Sequence, residues 1–335
     1  MGKILTVSIA SYNVEKFLRQ TLSSFVIDEE RMDALEVIVV SDGSKDGTVQ
    51  IAEEFVRKYP NTFRLIDKDN GGYGSTINAS LKAAQGKYYK LVDGDDWVEK
   101  NGLSKLIDFL KLKDSDMVLS KYCTCEEGTG KRVVIDEGLV FDNKEHKIEY
   151  LFEHSIPMHF IAYKTEILRS NQIRITENCF YTDLEFVIKP LPYIESVSLL
   201  DEVVYVYRVG RDEQSVSIKS WQKNIDQATK VSCGLARYYE SIKGKIIDGK
   251  KINYVRSKVV DSAVNKYRIF LSFKRSDEVY RKMNEFTINL EESSREVAAL
   301  SKENNLVKLL LLPGQPLYGL LSVIYRKHLK RKGMI

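Results

Sequence analysis

The sequence predicts an α/β protein, with a mostly parallel, doubly wound sheet flanked by helices and followed by a helical extension. Between Ile4 and Val92, short β-rich runs alternate with amphipathic runs that have helical spacing. Such alternation is typical of parallel sheets covered by helices. From Trp221 to about Leu300 the pattern is almost entirely helical and contains no proline. We therefore predict one domain over residues 1–215, a helical extension over 216–303 and a tail over 304–335.

The individual elements of this sheet follow from local patterns. Leu35–Val40 is a nearly continuous apolar run, which is expected of a strand buried on both faces. Ile51, Phe55 and Tyr59 recur at helical spacing. The predicted strands are Ile4–Ala10, Leu35–Val40, Phe63–Ile66 and Tyr88–Val92, and the predicted helices are Val14–Val26, Ile51–Tyr59 and Thr76–Ala84. The region Met117–Tyr207 is mixed, with a hairpin-like piece at Arg132–Phe141.

The composition is that of a soluble globular protein. Of the 335 residues, 43% are apolar and 29% are charged, which excludes a disordered chain. We expect no signal peptide and no membrane-spanning helix, because the sequence contains no apolar run of the required kind. The four cysteines and four histidines lack the spacing of a zinc site, so we expect reduced thiols in a cytoplasmic protein.

Ligands of doubly wound sheets bind at the carboxyl ends of the strands, so the loops that follow the strands are of interest. Asp42 directly follows the second strand, where its carboxylate could accept a hydrogen bond from a nucleobase. Asp46 and Thr48, in the same loop, are expected to cap the next helix. The loop after the third strand has three glycines in four positions, which lets the backbone approach a ligand closely. Ser75 or Thr76 would cap the helix that follows it.

The loop after the fourth strand contains three carboxylates within four residues, Asp93, Asp95 and Asp96. At the end of a buried strand these groups repel one another, and a cation would neutralise them. Mg²⁺ and Mn²⁺ prefer oxygen ligands and often share them with substrate phosphates. The alternative is a solvated acidic turn. We predict a Mn²⁺ or Mg²⁺ site with these three residues as ligands.

Taken together, the loops resemble the successive signatures of glycosyltransferase family 2. The matching segments, in order, are Ser8–Asn13, Ser41–Thr48, Asn70–Gly72 and Asp93–Asp96. A further segment, Glu177–Phe186, resembles the ED segment of the family, which supplies the catalytic base. The resemblance covers about residues 4–215. It implies the GT-A fold and transfer of a sugar from a nucleotide diphosphate donor to a hydroxyl acceptor, either a glycan or a lipid-linked molecule.

The resemblance also implies which residues bind the donor. Ala10, Tyr12 and Asp42 would hold a uridine-like nucleoside, so the donor would be a UDP-sugar. Asp93 and Asp95 would form the DxD motif, which touches ribose and metal, with Asp96 beside them. The remaining donor residues would come from the glycine-rich loop, namely Asn70 and Gly71. A divalent ion held there would stabilise the charge on the departing diphosphate.

Asp183 would be the general base that takes the proton from the acceptor hydroxyl. One base and one in-line displacement imply inversion at the anomeric carbon. Two positions depart from the family pattern. Ile77 stands where many members have arginine, next to Asn78, and Thr182 replaces the glutamate of the ED pair. Asp183 is therefore the only carboxylate of that pair.

Three further residues have two interpretations each. Arg208 and Arg211 follow a predicted strand in a segment that resembles the family's loop near the diphosphate. Arginine suits bidentate phosphate contacts, and the alternative is a solvated loop. His159 lies in a strand-like run that leads to Asp183. It would either line the acceptor pocket or be a core histidine.

The tail combines apolar residues with a basic cluster. From Asn304 to the end there are six basic residues and no acidic residue. Leu317, Leu320, Leu321 and Ile324 recur at i, i+3, i+4 and i+7, as on one helix face. Residues 306–332 are therefore predicted either to dock on the anionic cytoplasmic face of a membrane, or to pack on the protein itself or on a second copy. No broad basic face carries interleaved aromatic residues, which argues against a nucleic-acid partner.

Two other function classes share part of this pattern. Sugar nucleotidyltransferases have a related sheet, but they carry a glycine-rich loop with Arg and Lys after the first strand, whereas Ser11–Asn13 has neither. A non-catalytic scaffold could bind a sugar nucleotide or a partner enzyme, but it would need neither the DxD motif nor Asp183. Hydrolysis of the donor in the presence of Mn²⁺ would separate an enzyme from such a scaffold.

Overall fold

The computed structural model describes residues 2–210, 217–314 and 316–331. The chain forms two compact units, which divide between Gly210 and Arg211. The first unit is built around a sheet, and the elements described in the second unit are helices. Within these ranges, no helix is both long enough and apolar enough to cross a membrane.

Ten strands in the described part of the first unit form one mixed sheet. They are β1 (Leu5–Ser11), β2 (Leu35–Asp42), β3 (Phe63–Lys68), β4 (Tyr88–Asp93), β5 (Trp97–Val98), β6 (Met117–Glu126), β7 (Arg132–Ile135), β8 (Glu145–Lys147), β9 (Ile161–Lys164) and β10 (Ser196–Val209). Their order is β3-β2-β1-β4-β9-β6-β10-β5, with β7 paired to β6 and β8 to β10. β3, β2, β1 and β4 are parallel, whereas β9 is antiparallel to β4 and β6. All four predicted strands are present, and their carboxyl ends share one edge.

Seven α-helices accompany the sheet in the described part of the first unit. They are α1 (Glu15–Ser24), α2 (Glu29–Ala34), α3 (Thr48–Lys58), α4 (Tyr73–Ala83), α5 (Lys100–Leu112), α6 (Thr165–Ser170) and α7 (Asp183–Ile188). Every residue of β2 is buried, as the continuous apolar run predicted. The predicted hairpin at Arg132–Phe141 is wrong in extent, because β7 ends at Ile135 and pairs with the preceding strand β6.

The two helix caps that the sequence predicted are not formed as expected. Asp46 Oδ1 accepts the backbone N–H of Thr48 at 3.0 Å, but the N-cap of α3 is Gly47 and Thr48 is the first residue of the helix. The predicted cap of α4 is wrong. This helix begins at Tyr73, with Gly72 at its N-cap in the left-handed region (φ 78°), so Ser75 and Thr76 lie inside the helix.

The second unit contains seven helices among its described residues. They are α8 (Ile218–Lys223), α9 (Ile225–Ile242), α10 (Gly249–Phe270), α11 (Asp277–Ser293), α12 (Arg295–Glu303), α13 (Asn305–Leu310) and α14 (Tyr318–Arg331). The ring of Phe286 packs on Tyr267 and Phe270, with ring centroids 5.1 and 6.2 Å apart. Proline cannot continue a helix ladder, and Pro313 and Pro316 lie in the break between α13 and α14.

Candidate active site

Several of the predicted donor residues meet at one edge of the sheet. Ala10 pairs with Asp93 across β1 and β4, and Asp42 pairs with Lys68 across β2 and β3. Because these strands are parallel, the loops that follow them are neighbours. Tyr12, two residues beyond Ala10, is 54% exposed. The strand order thus gathers the three residues predicted to hold a nucleoside at the edge where Asp93 lies.

Asp42 anchors the glycine-rich loop to this edge. Its Oδ1 accepts hydrogen bonds from Lys68 Nζ (2.9 Å) and from the N–H of Gly71 (2.9 Å), and its Oδ2 accepts one from the N–H of Gly72 (2.8 Å). Asn70 Nδ2 donates to the backbone carbonyl oxygen of Asp42 at 2.9 Å. Each carboxylate oxygen can accept two hydrogen bonds. Among the described contacts, Oδ2 therefore retains capacity for one further donor.

The ED-like segment packs directly on the glycine-rich loop. The N–H of Asn178 donates to the carbonyl oxygen of Gly71 at 2.5 Å. Gly74 is required at this contact, because a Cβ at that position would lie 2.1 Å from the carbonyl oxygen of Thr176. These close backbone approaches hold Asp183, which follows in the same segment, beside the donor edge.

Asp183 is the first residue of α7 and is half-buried. A carboxylate in the first turn of a helix is stabilised in its ionised form. Thr182, which stands where the family has glutamate, is fully buried and cannot replace a carboxylate. Glu185 is also buried, and its carboxylate accepts the N–H of Thr176 at 2.6 Å and pairs with Lys189 at 3.1 Å. Glu185 therefore supports the segment structurally.

Asp93 lies at the centre of the edge and is held by a tyrosine. Its Oδ1 accepts a hydrogen bond from the hydroxyl of Tyr73 at 2.8 Å. Burial, together with the negative charges of Asp95 and Asp183, raises the pKa of Asp93 to about 7. Burial and the carboxylates of Asp93 and Asp183 raise the pKa of Tyr73 well above its ordinary value, so its hydroxyl stays a donor. Asp93 and Asp183, distant in sequence, are therefore close enough to interact electrostatically.

Asp96 points into the protein, and its predicted role as a metal ligand is not supported by this placement. It is 1% exposed. Its Oδ2 accepts the hydroxyl of Tyr205 at 2.5 Å, and its Oδ1 accepts the backbone N–H of Arg208 at 2.8 Å. Both oxygens are thus engaged by β10. Asp96 ties the DxD loop to that strand.

Asp93 and Asp95 remain the candidates for holding a divalent ion. In the part of the chain that the structure describes, no group of three or more His, Cys, Asp or Glu side chains could hold a metal by itself. Mg²⁺ and Mn²⁺ are commonly held by one or two carboxylates, with substrate phosphates and water completing the shell. The raised pKa of Asp93 fits such a site, because it reflects burial first and then the negative charges of Asp95 and Asp183, and a cation would favour the ionised carboxylate against both.

The sequence left a phosphate contact and a solvated loop as the two interpretations of Arg208, and in the structure its side chain packs against the DxD loop. The guanidinium lies between the rings of Phe17 and Trp97, 4.8 and 4.7 Å from their centroids. Its Nε donates to the carbonyl oxygen of Asp95 at 2.9 Å, and Nη2 donates to Gln20 Oε1 at 2.8 Å. With 9% exposure, Arg208 is placed to position the loop. Arg211 lies outside the described residues.

His159 belongs to an aromatic cluster beside the DxD loop, in which Tyr122 and Tyr205 are buried and His159 and Tyr207 are partly exposed. Its ring stacks on Tyr122, with centroids 4.8 Å apart, and it contacts Tyr205 and Tyr207 at 4.7 and 4.8 Å. Burial and the nearby Lys90 lower the pKa of His159 to about 3. The ring is therefore neutral at physiological pH, and the surroundings favour the interpretation as a core histidine.

Three residues that shape the site carried no prediction from the sequence. Tyr73 orients Asp93, Tyr205 holds Asp96, and Lys68 pairs with Asp42. Tyr73 directly follows the glycines of the loop after β3, so its place at the strand-end edge was a usable signal. Tyr205 gave no local signal, because it reaches the DxD loop from a strand that is distant in sequence.

A cavity of about 440 Å³ lies at the opposite edge of the sheet, where β1 and β4 begin. Its lining is basic, but the cations already serve backbone carbonyls. Lys3 Nζ donates to the carbonyl oxygens of Asp33 and Leu35, both at 2.9 Å. Arg169 Nη2 donates to the carbonyl oxygen of Ala84 at 2.6 Å. Lys3 and Arg169 thus connect the ends of neighbouring helices and strands. The candidate site remains at the carboxyl edge of the sheet.

Comparison with known proteins identifies a family. The model for glycosyl transferase family 2 matches residues 6–171. The chain is 28% identical over 241 residues to the putative glycosyltransferase EpsH of Bacillus subtilis, covering 70% of this chain and 67% of EpsH. In three further curated relatives the matched segment spans 62%, 23% and 36% of the relative, and the last two are much longer than this chain.

Solved structures confirm the predicted GT-A fold. Staphylococcus aureus TarS in complex with UDP-GlcNAc superposes with a TM-score of 0.66 at 20% identity, over 99% of this chain and 92% of that one. The mannosyltransferase PcManGT of Pyrobaculum calidifontis, in complex with GDP-Man and Mn²⁺, gives a TM-score of 0.51 at 12% identity, over 98% and 87% of the two chains. The family match, the curated relatives and the fold agree: the chain contains a glycosyltransferase family 2 domain, which the family model matches over residues 6–171.

Proposed function

We propose that the chain is an inverting glycosyltransferase that moves a sugar from a UDP-sugar to a hydroxyl group of a glycan or lipid-linked acceptor. The observation that carries the proposal is that the segment of Asp183 packs on the glycine-rich loop through the hydrogen bond from Asn178 N–H to the carbonyl oxygen of Gly71, while Tyr73, next in that loop, donates to Asp93. Sugar transfer requires a stabilised leaving group and a base on the acceptor side, and Asp93 and Asp183 supply a candidate for each. The buried cysteine thiols are in keeping with the predicted cytoplasmic location.

The nucleoside would bind at the ends of β1 and β2. Tyr12 offers an exposed ring on which a base can stack. Asp42 Oδ2 can accept the imide N–H of a uracil, since it takes one bond from the glycine-rich loop and can take a second. That same loop, through Gly71 and Gly72, fixes the orientation of the carboxylate. The solved complex of TarS with UDP-GlcNAc, which shares this fold, supports UDP-GlcNAc as the first donor to test.

The diphosphate would lie next to the DxD loop, where Asp93 and Asp95 would hold Mn²⁺ or Mg²⁺. When bound, such an ion supplies positive charge that stabilises the departing diphosphate. Tyr73 orients Asp93 by its hydrogen bond, and Arg208 holds the backbone at Asp95. The complex of PcManGT with GDP-Man and Mn²⁺ supports the choice of metal.

Asp183 would accept the proton of the acceptor hydroxyl as that oxygen attacks the anomeric carbon. Asp183 lies in the first turn of α7, where the backbone N–H groups interact favourably with a carboxylate. Thr182 is buried and has no carboxylate, and Glu185 binds Thr176 and Lys189. Asp183 is therefore the residue that we assign to this role. A single displacement with one base gives inversion.

The proposal is tested by a donor panel. Purified protein is incubated with UDP-GlcNAc, UDP-Glc, UDP-Gal and GDP-Man in the presence of Mn²⁺, and release of the nucleoside diphosphate is followed. We expect release from at least one UDP-sugar and none above background from GDP-Man, because guanine is a larger ring and presents its N–H donors farther from the ribose than the uracil imide that Asp42 would recognise. Preferred release from GDP-Man would contradict the assignment of the nucleoside site.

Arg208 is expected to act as a positioning residue. Arg208→Lys keeps the charge but cannot stack between two rings while donating to the carbonyl of Asp95. We expect the Mn²⁺ concentration for half-maximal activity and the donor KM to rise by about tenfold, with a smaller change in kcat, as loss of a binding contribution of about 1.4 kcal/mol would give. Arg132→Lys is the matched control, because Arg132 also lies against Trp97, at 6.0 Å, but does not bond the loop. An unchanged Mn²⁺ dependence would refute this role.

A further inference from the structure

Helix α14 is docked on its own unit through one face. The hydroxyl of Tyr318 donates to the carbonyl oxygen of Phe270 at 2.8 Å, and Ser322 Oγ donates to that of Phe273 at 2.8 Å. Leu329, near the end of the helix, is 2% exposed. The predicted packing of the tail on the protein is therefore observed for this face.

The opposite face is apolar in its first half and basic in its second half. Leu320, Val323 and Ile324 are 60%, 51% and 56% exposed, and their spacing of i, i+3 and i+4 places them together. The stripe that the sequence predicted was partly wrong, because Leu317 and Leu321 are half-buried. The exposed face continues one and two turns later with three exposed cations, Lys327, Lys330 and Arg331. We call these six residues the α14 surface.

The chemistry of the α14 surface selects its partner. A contiguous group of exposed large apolar side chains marks an interaction surface. Its cations have no acidic neighbour on the same helix, and no acidic residue follows Asn304 in the sequence. A second copy docked through this face would bring cations towards cations, whereas an anionic bilayer offers negative head groups above an apolar layer. Helices of this type lie in the interface with the apolar residues shallowly inserted.

We propose that the α14 surface binds an anionic lipid bilayer, with Leu320, Val323 and Ile324 inserted among the acyl chains and the three cations against the head groups. This binding is independent of the proposed sugar transfer. It would hold the protein at a membrane surface without a spanning helix. Because exposed charges interact over about a Debye length, the binding is expected to weaken in high salt.

The test is co-sedimentation of the full chain with vesicles of phosphatidylcholine, with and without phosphatidylglycerol. We expect binding to the anionic vesicles at low salt and at least tenfold weaker partitioning to the neutral ones. Two variants address the two halves of the surface. Leu320→Ser/Val323→Ser/Ile324→Ser removes the apolar half, and Lys327→Glu/Lys330→Glu/Arg331→Glu reverses the basic half. Each is expected to lower partitioning at least tenfold.

The control is Leu112→Ser/Ile247→Ser, which removes two side chains that are 85% and 101% exposed elsewhere in the chain. It is expected to bind vesicles like the wild type, and circular dichroism checks that every variant is folded. Failure of the full chain to sediment with anionic vesicles would overturn the proposal, as would wild-type binding by both surface variants. A fall in mass on light scattering in the apolar variant, without loss of vesicle binding, would instead identify an interface between copies.

Discussion

Asp183→Asn is expected to lower kcat by about 10²-fold or more while the donor Kd stays within a few-fold of the wild-type value. The amide cannot accept the proton of the acceptor hydroxyl, which costs about 2.7 kcal/mol of transition-state stabilisation for each 10²-fold. Donor binding is expected to be retained because the residues proposed to bind the nucleoside and the diphosphate lie at the ends of strands, whereas Asp183 lies on α7. Steady-state kinetics give kcat, and calorimetry with the UDP-sugar gives Kd.

The matched control for Asp183→Asn is Glu166→Gln. Like Asp183, Glu166 lies in the first turn of a six-residue helix, although Glu166 is exposed and Asp183 is half-buried. Both substitutions therefore remove a carboxylate from the first turn of a short helix. Glu166→Gln is expected to keep kcat within a factor of about two, since exposed changes of this kind act mainly on stability, and only slightly. A kcat for Asp183→Asn equal to that of the control would exclude Asp183 as the base.

Removal of divalent metal is expected to abolish transfer, and Mn²⁺ or Mg²⁺ is expected to restore it. The physical reason is that Asp93 is buried near the negative charges of Asp95 and Asp183, and a diphosphate adds further negative charge that a divalent cation would offset. Asp95→Ala removes one carboxylate of this group and is expected to weaken donor binding about 10²-fold in the presence of Mn²⁺. Without Mn²⁺, the mutant and the wild type should bind the donor with similar weakness.

Asp33→Ala is the control for Asp95→Ala, because Asp33 is an exposed aspartate on α2, before the amino end of β2. Its removal is expected to leave the Mn²⁺ dependence of donor binding unchanged. Full activity of the wild type in excess chelator would contradict the metal role of the DxD loop. Equal donor affinity of Asp95→Ala and the wild type in Mn²⁺ would assign the ion to other residues.

The strand-end residues could be predicted from the sequence because the periodicity of a parallel sheet fixes where its loops lie. Leu35–Val40 indicated a buried strand, and Asp42 therefore had to lie at its carboxyl end. The same logic placed Asp93 at the carboxyl end of the fourth strand, and the register of β1 and β4 shows that it lies beside Ala10. The predictions needed only the positions and the common direction of the strands.

The direction in which loop side chains point could not be predicted in this way. Asp95 and Asp96 are neighbours in sequence, yet Asp96 is turned inward by Tyr205 and by the backbone of Arg208. Both partners lie on β10, whose pairing with β5 and β6 is a long-range property of the fold. Arg208 likewise is a residue type suited to phosphate contacts. Its packing between Phe17 and Trp97 depends on residues that are distant in sequence and could not be predicted.

The tail illustrates the same limit on a helix. The apolar spacing predicted a face that included Leu317 and Leu321, but the helix begins only at Tyr318, after the prolines. The hydrogen bonds of Tyr318 and Ser322 to the end of α10 then set the rotation of α14, which leaves Leu320, Val323 and Ile324 exposed. The apolar periodicity predicted that a helix is present, whereas the contacts with the rest of the second unit determine which face of that helix is exposed.

The most direct test of sugar transfer is a proton NMR time course of the preferred UDP-sugar with purified protein and Mn²⁺. We expect the anomeric signal of the α-linked donor to disappear and the first-formed sugar product to carry the β configuration. Asp183→Asn should slow this about 10²-fold. A first-formed product that retains the α configuration would contradict the single displacement. Tight binding of the UDP-sugar with no loss of its anomeric signal, even with candidate acceptors present, would contradict catalysis and indicate a binding scaffold.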